Sequence, residues 1–210
     1  MTMMLRILAL FALSATLMGQ EAVYKNDFQS AEVGKIPKEF MVLDGGFTVA
    51  EEGGNKFIEL PGAPLDTFGF LFGPTEKENR TVSARIFGTS KGRRAPTFNV
   101  GLGGVGGYKL QVSPAKKLVE LYRGDSVKSS VPFEWESGKW THLSLTLKKK
   151  GDSEWQIDGS VWPEGASEPP SPTIAFSDNE APPSGRASIG GSPYATTPIR
   201  YDDLYTGPAK

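Results

Sequence analysis

Between Ser137 and Trp162 the chain reads SGKWTHLSLTLKKKGDSEWQIDGSVW, and this stretch constrains the fold more than any other. Thr141, Leu143, Leu145 and Leu147 fall on one side and His142, Ser144, Thr146 and Lys148 on the other, the period-2 pattern of a half-buried strand. A charged turn at Lys150-Gly151-Asp152 then leads into a second alternating run, Trp155–Trp162, so a hairpin is expected. Its polar face carries His142, the only histidine of the chain.

Similar runs recur at short intervals. They are Val23–Phe28, Phe47–Ala50, Lys56–Leu60, Phe68–Phe72, Thr81–Phe87, Thr97–Leu102, Tyr108–Ser113, Lys117–Arg123, Val127–Phe133, Thr173–Phe176, Ala187–Gly190 and Ile199–Thr206, beside the two of the hairpin. No long amphipathic helix interrupts them. The 25 Gly and 16 Pro supply the turns between them, and the pattern predicts an all-β sandwich or barrel. Residues such as Val82, Ala84, Ile86, Phe98, Val100, Leu110 and Val112 are core candidates. The run Pro163–Pro172 holds four prolines, cannot sustain a ladder, and is expected to be a surface excursion.

The first 22 residues combine one Arg with an apolar run from Ile7 to about Leu17 and then small or polar residues, which is the form of a secretory signal peptide. The run is too short for a membrane span. The mature part, 23–210, is long enough for one β-sandwich domain and offers no linker that would divide it. With no cysteine, neither disulfides nor a lipid anchor on cysteine are expected, and a periplasmic or extracellular place fits. A net charge of −1, with basic pairs scattered among acids, gives nucleic acid no support as a partner.

Several motifs look chemical. Gly88–Gly92 matches G-x-S-x-G, and Ser90, Asp125 and His142 follow a hydrolase order, but the serine leads into another strand-like run where a nucleophile elbow needs a helix. Gly101–Gly106 matches G-x-G-x-x-G and is likewise followed by strand periodicity, so both read as connections. The i, i+2 carboxylate pairs Glu134/Glu136 and Asp152/Glu154 adjoin turns, and no E-x-D-x-x-E strand is present. One His and no Cys leave no zinc spacing. Oxygen ligands for calcium remain open: Asp27 and either Asp202 or Asp203 converge if the terminal strands are neighbours, with capping as the alternative. Alternation sends Asp202 and Asp203 to opposite faces. Trp140, His142 and Ser144 share one strand face and form the compact group best suited to a sugar ring, through stacking and hydroxyl contacts.

Three short segments carry a resemblance. Tyr24–Phe28, the strand Gly138–Leu145 with its W-x-x-L-x-L start, and Ile199–Tyr205 together resemble the concanavalin A-like lectin/glucanase superfamily, especially its laminin G-like and bacterial 3-keto-disaccharide hydrolase-like branches. The resemblance implies a two-sheet antiparallel jelly roll with adjacent first and last strands, a concave sheet where relatives bind or cleave carbohydrate, and a structural calcium near Asp202. The chain departs from the glucanase branch by lacking its catalytic strand. The expectation is therefore an exported, non-catalytic module that binds a polysaccharide or glycan through Trp140, His142 and Ser144, with Asp27 and Asp202 as possible calcium ligands and no other cofactor. A hydrolase or lyase of the same fold, or a structural envelope protein, is the alternative.

Overall fold

The computed structural model describes residues 23–62, 66–194 and 196–210. The expected leader, 1–22, lies outside the described residues. The strands in chain order are β1 (Tyr24–Asn26), β2 (Met41–Asp44), β3 (Thr48–Glu52), β4 (Asn55–Leu60) and β5 (Phe68–Glu76). Next come β6 (Arg80–Phe87), β7 (Thr97–Leu102), β8 (Tyr108–Ser113), β9 (Leu118–Arg123) and β10 (Ser126–Pro132). The series ends with β11 (Trp140–Gly151), β12 (Glu154–Pro163), β13 (Ile174–Asp178), β14 (Gly185–Ser192) and β15 (Ile199–Pro208). A 3-10 turn, Pro114–Lys116, joins β8 to β9.

Two antiparallel sheets face each other. The first has the order β13-β12-β11-β6-β15-β4-β3, with β1 also paired to β15, and the second has the order β10-β9-β8-β7-β14-β5-β2. This is the expected jelly-roll sandwich, and the first and last strands pair from Tyr24↔Thr206 to Asn26↔Leu204. The core between the sheets follows the alternation: Leu143, Leu145 and Leu147 of β11 and Val82, Ala84 and Ile86 of β6 meet Phe98, Val100, Leu110 and Val112. Burying each of the Leu, Val, Ile and Phe side chains among them stabilises the fold by about 1.5–3 kcal/mol against exposure. Trp155 also lies in this core, and Trp135 packs on Phe98 at 6.0 Å between ring centroids.

The predicted hairpin is β11–β12, in continuous register from Thr141↔Pro163 to Lys149↔Trp155. β6 pairs the other side of β11, so the hairpin is the inner part of the first sheet. One strand was not anticipated: β2 is exposed along its whole length, and a run without a buried face leaves no alternation to read.

Candidate functional site

In register, the outer face of the first sheet carries two rows of chemistry-bearing side chains. One runs Asp202, Arg85, His142, Trp162 across β15, β6, β11 and β12. The other runs Glu59, Arg200, Phe87, Trp140 across β4, β15, β6 and β11. Glu164, just past β12, joins them, because its backbone N–H donates to the Trp140 carbonyl at 2.9 Å.

Arg85 is the hub. Its Nη2 donates to Asp202 Oδ2 at 2.7 Å, its Nη1 lies 3.8 Å from Glu164 Oε1, and its Nε lies 2.8 Å from Asp203 Oδ2 as an ionic contact without hydrogen-bond alignment. The guanidinium stacks over Trp140 at 4.7 Å, while Phe57 and Phe87 flank that indole at 6.2 and 5.6 Å. Arg200 lies over Phe57 and Phe87 in turn and pairs with Glu52 and Glu59. Trp140 is thus the centre of an aromatic cluster with one ring face taken. His142 stacks on Trp162, centroids 5.2 Å apart and planes 7° from parallel, and its Nε2 lies 2.8 Å from Glu164 Oε2.

The sequence reading placed Asp202 and Asp203 on opposite faces, and the structure corrects it. The register of β15 against β6 shifts between Asp202 and Tyr205, and Asp203 takes φ 51°, a left-handed conformation in which Asp is among the better-tolerated residues. The bulge turns both carboxylates to Arg85. Asp202 is fully buried, and burial pushes its carboxyl upward against the opposing influence of the Asn55 amide, the Asp203 N–H and the Arg85 charge. Asp203 is 54% exposed and Glu164 47%, so these two acids face solvent.

Asp203 also lines a cleft of about 520 Å³ with Lys25, Asn26, Asp27, Ser30 and Tyr205. On the β1 side of this cleft Phe28 adopts φ 60°, rare for a bulky residue, with its N–H held by Asn26 Oδ1 at 2.8 Å and its ring in the core.

Of the expected site residues, His142 and Trp140 lie on the open face, whereas Ser144 is 3% exposed and cannot reach a ligand there. Calcium through Asp27 and Asp202 does not fit the residues present. Asp202 Oδ2 accepts from Arg85 and Asn55 and Oδ1 from the Asp203 N–H, and the adjacent guanidinium already supplies positive charge. Asp27 shares its cleft with Asp203 instead, and its Oδ1 accepts from the Gln29 N–H. Among the described residues no group of three His, Asp or Glu is placed to hold a metal ion. Ser90 lies in the β6–β7 connection with its N–H bonded to Ser137 Oγ, and His142 pairs with Glu164, so no serine triad forms. Arg85, Glu164 and Trp162 were not singled out by the sequence, since only the register of three strands brings them beside His142.

No protein-family model and no curated protein sequence matches the chain. Its fold does match solved structures. A Bacillus subtilis protein of unknown function with a galectin-like fold shares 11% identity over 91% of this chain and 98% of its own, with a TM-score of 0.61. The carbohydrate-binding module CBM66 from Bacillus subtilis shares 13% over 80% of this chain and 95% of its own, with a TM-score of 0.54. The catalytic domain of a glycoside hydrolase family 131 protein from Coprinopsis cinerea shares 6% over 90% and 94%, also at 0.54. The chain has the galectin-like jelly-roll fold. Among the described residues no helix is long and apolar enough to cross a membrane.

Proposed function

We propose that the chain is an exported carbohydrate-recognition module of the concanavalin A-like kind, and that it holds a glycan on the outer face of the first sheet around Trp162, His142, Arg85, Glu164 and Asp203. One observation carries this reading: flat rings and planar charged groups stand in register on one face and open at Asp203 onto a cleft. A sugar offers apolar C–H faces and hydroxyls that both donate and accept. The Trp162/His142 stack suits the first, while the carboxylates of Glu164 and Asp203 accept hydroxyl protons and Arg85 donates. Trp140 serves here as the support on which Arg85 is stacked. The carbohydrate-binding module among the fold neighbours supports the ligand class, and the apolar N-terminal run of the sequence supports export.

A glycoside-acting enzyme is the second reading. It is favoured by the way Arg85 gathers two solvent-facing carboxylates, Glu164 and Asp203, on either side of one guanidinium. Glycosidases work with two such acids about 5–9.5 Å apart. Incubation with polysaccharides and 3-keto-glycosides separates the two: binding without product, weakened by Glu164→Gln, supports recognition. Product release abolished by Glu164→Gln or Asp203→Asn supports the enzyme.

A further inference from the structure

The charges on the outer face of the first sheet do not balance. Arg85 is faced by three carboxylates, Asp202, Asp203 and Glu164, and Arg200 by two, Glu52 and Glu59. In the adjoining cleft Lys25 offsets Asp27. The carboxylates of this face therefore outnumber its cations by three. The whole chain carries a net charge of only −1, so the surplus is local and is offset on other surfaces. A proton on Asp202, whose carboxyl burial raises, or on His142, which pairs with Glu164, reduces the surplus without changing its sign.

The open hydrogen-bond positions have the same polarity. Glu164 meets His142 through Oε2, which leaves Oε1 with Arg85 Nη1 at 3.8 Å, beyond hydrogen-bond length. Asp203 meets Arg85 through Oδ2, and its Oδ1 accepts from no described residue. Both acids are about half exposed, so two free acceptors, each on a charged group, face solvent on the one guanidinium that already has a buried carboxylate partner. The site itself stands on other features: the Trp162/His142 ring stack, with planes 7° from parallel, and the cleft of about 520 Å³ that Asp203 lines. The charge determines which sugars that site takes.

We propose that the ligand of this face is an amino-sugar chain with free, positively charged amines, and that Glu164 and Asp203 select it by pairing with its ammonium groups. The inference rests on the glycan reading of the face and adds the charge class of the ligand. An ammonium brings three donors, no acceptor and one positive charge, which complements free carboxylate oxygens. A uronic acid or sulfated sugar sets like charge against the surplus and is rejected. An N-acetylated amine has lost the charge and so the preference.

The test measures binding of the full chain to equal-length oligomers of glucosamine, N-acetylglucosamine, glucose and galacturonate, and to oligolysine of matching charge, at about pH 6, where ordinary carboxyls are ionised. The expected result is that the glucosamine oligomer binds about tenfold tighter than the two neutral ones, that galacturonate binds weakest, and that added salt narrows the gap. Glu164→Gln and Asp203→Asn, each shown folded by its melting curve, lower affinity for the glucosamine oligomer about three- to fivefold, the size of a partly exposed ion pair, and leave the neutral oligomers unchanged. Trp162→Ala weakens all the saccharides alike. Equal binding of charged and neutral oligomers, or a preference that survives both acid variants, overturns the amine class and leaves the glycan reading standing. Oligolysine bound as tightly as the glucosamine oligomer shows ion exchange alone and also overturns it. A wild type that is retained by a neutral polysaccharide but not by the glucosamine oligomer overturns the class only, and one that binds no saccharide contradicts both readings.

Discussion

The Arg85 guanidinium lies over the Trp140 ring, its Cζ 4.7 Å from the ring centroid, while its Nη2 holds the buried Asp202 carboxylate at 2.7 Å. One side chain thereby ties β15, β6 and β11 together and aims its remaining edge at Glu164 and Asp203. Trp140 belongs to the support of the site and Trp162 to its surface. Trp140→Ala is expected to destabilise the protein by about 2–3 kcal/mol, from lost ring packing beneath Arg85. Trp162→Ala, which loses one ring stack, should cost about 1 kcal/mol. Thermal denaturation of the two variants side by side checks the order, and equal losses would contradict the division of roles.

Tyr201 is fully buried and its hydroxyl has no partner among the described residues; burial alone pushes its acidity well below that of free tyrosine. Removing an unsatisfied hydroxyl removes a desolvation cost. Tyr201→Phe should therefore leave stability unchanged or raise it by up to about 1 kcal/mol in chemical denaturation. A loss of similar size would show that the hydroxyl is bonded in solution.

Asp178 joins β13 to the second sheet by accepting from the Tyr108 hydroxyl and Arg123 Nη1, each at 2.7 Å. Burial raises its carboxyl, but the bonds from Tyr108, the Glu180 N–H and Arg123 outweigh burial and hold it below the ordinary aspartate value. A depressed acid stabilises the fold above its unfolded pKa, and that contribution is lost as pH falls through the folded one. Asp178→Asn should be less stable than wild type by about 2–3 kcal/mol at neutral pH, with the gap closing below pH 4.

Asp202 has the opposite sign. Its folded carboxyl is raised, so its proton-linked stabilisation is present at low pH and lost as pH rises through the folded value. The stability of Asp202→Asn relative to wild type should therefore shift in favour of the variant between about pH 4 and neutrality. Melting temperatures across that range measure it, and a shift toward wild type would mean that the Arg85 charge outweighs burial.

The alternation of β11 and β12 and the Gly- and Pro-marked turns were legible because period-2 burial leaves a direct trace in sequence, whereas the pairing of the terminal strands was only implied by the resemblance. Trp155 packs in the core for the same reason, whereas Trp135, in the β10–β11 connection, packs against the core from outside any strand. The site was legible in part. His142 and Trp140 could be found from their own strand, but Arg85 and Asp202 are 117 residues apart and meet only through β-sheet register. Asp203 was misassigned because a bulge breaks alternation at one residue, and an Asp in a left-handed conformation leaves no pattern of its own.

The most direct measurement of the central claim is affinity electrophoresis of wild type and Trp162→Ala through gels containing single polysaccharides, with a melting curve to show that the variant is folded. The account predicts retardation of the wild type by at least one polysaccharide, and a component of that retardation lost in the folded variant. Retardation identical for the two proteins, or none for the wild type in any gel, would contradict glycan recognition on this face.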